Sequence, residues 1–285
     1  MKSAFAAARI VLIAWAVVDP AAAQQPPAGA PRPPAQAPNP VMEAAQAAFD
    51  ALPEAARRQL QDDLIWGSNF TATTSAQFGA RTLAAIVNFQ RLIRAPQNGV
   101  LDPAQRKALA DAASRTRASM RLAVQADPRS GASLPIAQAL FTKRETLPTG
   151  TRWESSDGQV VLETGVGQGG AAQLPAAFER FVSLPTPNRK VTYKLLRPDF
   201  FVVSGEIGPR SFYVRYAVGP NNLRGYALSY PTARSADMER HVIAIANGFQ
   251  AVPGQAPAAD VAAGPGPQGQ GTSVAPPAAN PNTIP

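Results

Sequence analysis

Proline confines folding in this chain to its middle. About half of the 29 prolines fall in two terminal stretches, 24–40 (QQPPAGAPRPPAQAPNP) and 253–285, which hold almost no large apolar side chain. Such segments cannot bury enough surface to offset the entropy of ordering them, so both read as disordered or polyproline-like spacers. The foldable part is 41–252. Ahead of the first spacer, Lys2 and Arg9 stand without an acidic neighbour, and 10–18 (IVLIAWAVV) is unbroken apolar sequence ending at Asp19 and Pro20. Ala21, Ala22 and Ala23 supply the small residues of a signal-peptidase site, with Gln24 as the expected mature N-terminus. The run falls short of the roughly 20 residues needed to cross a hydrocarbon core of about 30 Å. It reads as a cleaved signal, without stable membrane insertion, and the expected location is periplasmic or secreted.

The chain has no cysteine. Disulfides, lipid attachment at a cleavage-site cysteine, thiolate nucleophiles and cysteine-based zinc sites are therefore excluded. Loss of Lys2, Arg9 and Asp19 with the signal would lower the formal charge of +8 to +7. The cations are spread from Arg57 to Arg210 and form no dense stripe, which argues against nucleic acid as a partner and leaves anionic wall polymers or a solvated surface.

From 41 to 121 the pattern is helical. Leu60 and Leu64 fall at i and i+4, and Ala85, Ile86 and Phe89 line one face of a helix opening at Ala80. Asp102 followed by Pro103 is a cap and first-position pair for a third helix, and Asn98-Gly99 marks a turn before it. The order Leu60-Gln61, Phe78-Gly79-Ala80-Arg81-Thr82, Ala85-Ile86, Phe89-Gln90 and Gly99-Val100-Leu101-Asp102 with Leu109 resembles the type 1 peptidoglycan-binding domain over about 52–113. The resemblance implies a three-helix bundle and peptidoglycan, through sugar or stem peptide, as partner. One departure stands out: Ala76-Gln77 occupies the place where the family has Asp-Gly before Phe-Gly.

Most of these positions have structural work to do. Phe78, Ile86, Phe89 and Leu109 are apolar pins, Gly79 is expected to let the backbone turn into the helix, and Thr82 to cap its first turn. The candidates for wall contact are polar and aromatic neighbours expected at the surface: Trp66, Asn69, Gln77, Arg81 and Gln90. Trp66 offers a stacking face for a sugar, and Arg81 a guanidinium for a stem-peptide carboxylate.

Beyond Arg121 the period becomes extended. Runs at 122–126 and 132–137 flank a turn at Asp127–Gly131, and 151–164 is a hairpin with Asp157-Gly158 as an expected type I′ tip. A helix at 174–184, β runs at 191–196, 200–204, 211–218 and 223–230, and a helix at 236–249 with Met238, Val242, Ile245 and Phe249 on one stripe complete the region. The fold class is thus α+β: a helical bundle (41–121), then an antiparallel-sheet domain with two packing helices (122–252). The second domain is similar in element order to PsbP-like sandwiches, and its expected role is contact with another envelope protein.

Catalysis finds little support in the residues. A serine-hydrolase triad needs a histidine, yet His241 is the only one, expected at the solvent edge of the last helix, and no G-x-S-x-G elbow is present. One histidine also argues against a zinc amidase. Paired carboxylates for glycan cleavage would come from Glu154, Asp157, Glu163 and Glu206. The reading is a non-catalytic wall-binding protein without metal or cofactor; the alternatives are an assembly protein that does not bind wall and a glycan hydrolase.

Overall fold

The structure is a computed structural model and describes residues 39–254; the signal-like segment, nearly all of the first spacer and nearly all of the tail lie outside the described residues. Asn39 opens the first helix, α1 (Pro40–Asp50). Its side-chain oxygen accepts from the N–H groups of Val41 and Met42 at 3.1 and 3.3 Å, and Pro40 needs no donor at that position. This helix adds to the three expected ones, α2 (Glu54–Gly67), α3 (Ala80–Leu92) and α4 (Pro103–Ser119). Asp102 caps α4 as its sequence position implies, accepting from Gln105 N–H at 2.7 Å. Leu64, Ile65, Ile86, Phe89 and Leu109 meet in the bundle core with Phe49 of α1. Arg117 of α4 donates to Asp62 and Asp63 of α2 at 2.6 and 2.8 Å, which fixes the two helices side by side.

Two expectations at the start of α3 do not hold. Gly79 is extended (φ −169°), a conformation open to any residue, and the left-handed turn falls on Ala76 (φ 61°). Thr82 caps nothing; its side chain is buried beside Gln61, and α3 has no side-chain cap.

The remainder is antiparallel. β1 (Leu122–Ala126) and β2 (Ser133–Ala137) form a hairpin around Asp127. That carboxylate, 1% exposed, accepts from Arg129 N–H, Ser130 N–H, Ser130 Oγ, Thr151 Oγ1 and Thr164 Oγ1, so it pins the hairpin to the sheet behind it. The sheet holds β3 (Phe141–Thr146), β4 (Thr151–Ser155), β5 (Val161–Gly167), β6 (Arg189–Leu196), β7 (Phe200–Ile207), β8 (Arg210–Val218) and β9 (Leu223–Pro231), in the order β3-β4-β5-β9-β8-β7-β6. At the β4–β5 turn only Gly158 is left-handed (φ 68°), whereas a type I′ turn needs positive φ at both central residues, so the expected I′ pair is not formed.

Strand register decides what each face buries. Trp153 opposes Leu162, Leu162 opposes Leu228, and Arg215 opposes Tyr226 on one face. The β1–β2 hairpin and α6 (Ser235–Gly248) cover it through Leu134, Ile136, Met238, Val242, Ile245 and the following Phe249. Phe201, Val203, Phe212, Val214 and Tyr216 point the other way and pack under Leu174 and Phe178 of α5 (Leu174–Ser183). The region is therefore three-layered, with the two expected helices on opposite faces. Among the described residues no helix is long and apolar enough to cross a membrane.

Candidate functional site

The 68–79 segment between α2 and α3 carries uncharged polar side chains at Ser68, Asn69, Thr71, Thr73, Thr74, Ser75 and Gln77. It has no helix or strand of its own and is held by side chains. Gln61, buried in α2, accepts from Ala76 N–H at 2.9 Å and donates to the Gln77 carbonyl at 2.8 Å. Arg58 donates to the Thr74 carbonyl at 2.6 Å, and Ser68 Oγ to the Ala85 carbonyl at 2.8 Å. These contacts hold Ala76 in a left-handed conformation that costs a residue with a Cβ about 1 to 2 kcal/mol.

At Thr74 the loop meets α6. Its His241, Ala244 and Asn247 share a stripe turned away from the sheet. The His241 ring lies edge-on to Trp66 with centroids 6.1 Å apart, Ala244 joins the helical core cluster, and Asn247 Oδ1 accepts from Thr74 N–H at 3.3 Å. His241 is half-buried, partly open to solvent as expected but with its ring against Trp66. Burial first, then the charges of Arg240 and Arg234, push its pKa down to about 4, so it is neutral at ordinary pH. Glu239, two residues earlier, has its carboxyl pushed up by burial, against the opposing pull of Arg81.

Residues 53–109 match the family model described as "Putative peptidoglycan binding domain". The matched stretch spans α2, the 68–79 loop, α3 and the first part of α4, less than half of the chain, and leaves α1 outside. No curated protein matches the chain. Among solved structures, the solution structure of cyanobacterial PsbP (CyanoP) from Synechocystis sp. PCC 6803 is similar to the C-terminal part at 11% identity and a TM-score of 0.36, over 45% of this chain and 91% of that one.

The five sequence candidates separate by environment. Asn69, Gln77 and Arg81 are exposed; the first two lie in the loop, and Arg81 reaches it by donating to the Thr71 carbonyl at 3.3 Å. Trp66 and Gln90 are interior, 3% and 0% exposed, contrary to the expectation of surface positions. Trp66 fails it because α6 packs over it. Gln90 fails it because it is the polar hub of the 96–101 turn, donating to the Asn98 side chain and the Val100 carbonyl, both at 2.9 Å, and accepting from Gly99 N–H at 3.0 Å. Sequence reasoning missed Gln61, Arg58 and Asn247. Gln61 stood in the quoted motif, but nothing local signals that Asn247 reaches a loop 173 residues earlier.

The carboxylates weighed for glycan cleavage do not converge. Glu154 and Glu163 share a face, but Arg152 pairs with both, at 2.5 and 2.8 Å. Asp157 sits at the β4–β5 turn, and Glu206 on β7 faces the opposite side of the sheet, three strands from β5.

Proposed function

We propose that the protein is an exported, non-catalytic component of the cell envelope that binds peptidoglycan through the helical region and presents the sheet domain to another envelope protein. The match over 53–109 carries the reading. The exposed rim of the 68–79 loop, Asn69, Gln77 and Arg81, supplies the contacts: amides for the acetamido and hydroxyl groups of the glycan, and a guanidinium for a stem-peptide carboxylate. Trp66 contributes to the core beneath the helical region, and Gln90 holds the 96–101 turn, so neither is a contact residue in this reading. The domain division at 121/122 belongs to the same reading, with the helical part as anchor and the sheet as the presented part.

Sedimentation of the full chain with purified sacculi across a salt series tests the reading. Exposed charge attraction is screened over about 8 Å at physiological ionic strength, while hydrogen bonds in a shaped site persist. Salt-resistant pelleting that Arg81→Ala weakens about ten-fold is the expected result, since one charge-assisted hydrogen bond contributes about 1.5 to 3 kcal/mol. Pelleting that disappears at moderate salt would mean adsorption to an anionic polymer. The Ala76-Gln77 departure favours a second reading, an assembly protein without wall affinity, and no pelleting at any salt would establish it.

A further inference from the structure

We infer that Asn247 of the sheet domain is a positioning residue for the peptidoglycan-binding loop, so that wall affinity depends on a helix lying outside the matched family region. The inference rests on the wall-binding reading above. Thr74, at the centre of the 68–79 loop, has both backbone groups taken by side chains from two different parts of the chain. Its carbonyl accepts from Arg58 of α2 at 2.6 Å, and its N–H donates to Asn247 Oδ1 of α6 at 3.3 Å.

The loop has reason to need an outside support. At the place where the family has Asp-Gly this chain has Ala76-Gln77, and Ala76, where the family has Asp, carries a left-handed conformation without a polar side chain that could bond its own backbone. Gln61 holds 76 and 77 from within, and its hydrogen bonds do not extend to 69–75. Phe70 is tied to α2 by its own backbone and by the core, and the side-chain hydrogen bonds to the backbone of 71–74 come from Arg58, Arg81 and Asn247, of which Asn247 is the one supplied by the second domain. The stripe carrying it is fixed in place, since Ala244 is part of the helical core and His241 packs on Trp66. A rim displaced by an ångström loses geometry-dependent hydrogen bonds to a ligand, so the acceptor at 247 acts on binding through Thr74 and the loop.

The side chain separates this role from generic packing. Asn247 uses its oxygen, while its buried Nδ2 has no hydrogen-bond partner. Asn247→Asp keeps the acceptor and sacrifices no bond; Asn247→Leu keeps the bulk and removes the acceptor. Sacculus binding of the full chain and amide hydrogen exchange at Thr74 are measured for both, at a temperature where circular dichroism shows each variant folded. Asn247→Leu is expected to speed Thr74 exchange and weaken binding roughly five-fold, the value of one neutral hydrogen bond. Asn247→Asp is expected to match the parent in both. Leu and Asp variants that bind equally well, or equally poorly, would overturn the inference, as would Thr74 exchange unchanged by loss of the acceptor. If the parent itself does not pellet, the wall-binding reading falls, and a coupled loss of protection at Thr74 alone would show a clamp with no ligand to serve.

Discussion

Acid should weaken the packing of α6 against the helical region, and His241 is the group that reports it. Its pKa is 6.5 in an unfolded chain and about 4 in the folded one, because burial and two neighbouring arginines disfavour the imidazolium. Between those values the unfolded state binds the proton and the folded state does not, so stability rises with pH across that window. The contribution is complete above pH 6.5 and is lost as pH falls toward 4. The gap corresponds to about 3 kcal/mol at most. Asp62, Glu163 and Glu239 have their carboxyls raised, each first by burial, and so act in the opposite sense, favouring the fold in acid. Urea unfolding of the parent and of His241→Gln from pH 4 to 7 removes their effect by difference, since they are common to both. The difference in unfolding free energy should change by about 3 kcal/mol over that range. Two curves that stay parallel would refute the placement of His241 against Trp66.

Three further outcomes follow from buried contacts. Gln90→Leu strands Gly99 N–H and the Val100 carbonyl in the interior and should cost about 2 to 3 kcal/mol, read as a lower melting temperature. Asp127→Ala removes the acceptor for five donors and should cost about 3 kcal/mol by urea unfolding; burial raises this carboxyl, but the hydrogen bonds from Ser130 and Thr164 outweigh it and hold it below the usual range. A fragment of residues 39–121 lacks α6, so its fluorescence, from Trp66 alone, should be red-shifted relative to Trp66 in a full chain carrying Trp15→Phe and Trp153→Phe. An unshifted spectrum would mean that the fragment buries Trp66 without α6.

Much of this fold was legible because periodicity and caps are local. Asp102-Pro103 announces α4, and the stripe Met238, Val242, Ile245, Phe249 announces α6. The same logic was available for α1, where Asn39-Pro40 is a cap and first-position pair, but it stands at the end of a proline-rich stretch and reads as more of the same. β3 escaped because its sequence, FTKRET, buries only Phe141 and so shows no alternation. The site was legible only in part. Family likeness points to the 68–79 loop, yet Trp66, at the end of α2, gives no sign in the sequence that a helix some 175 residues later will pack against it; that is a property of the tertiary arrangement.

That arrangement also has a kinetic meaning. The earliest core of the chain is closed by Ala244, in the last described helix, so the first helices to leave the ribosome wait for nearly the whole sequence before their cluster is complete. Contacts of such long sequence separation are slow to form, because loop closure comes before its reward. A nascent chain held back in this way keeps its first helices loosely packed until synthesis is nearly finished.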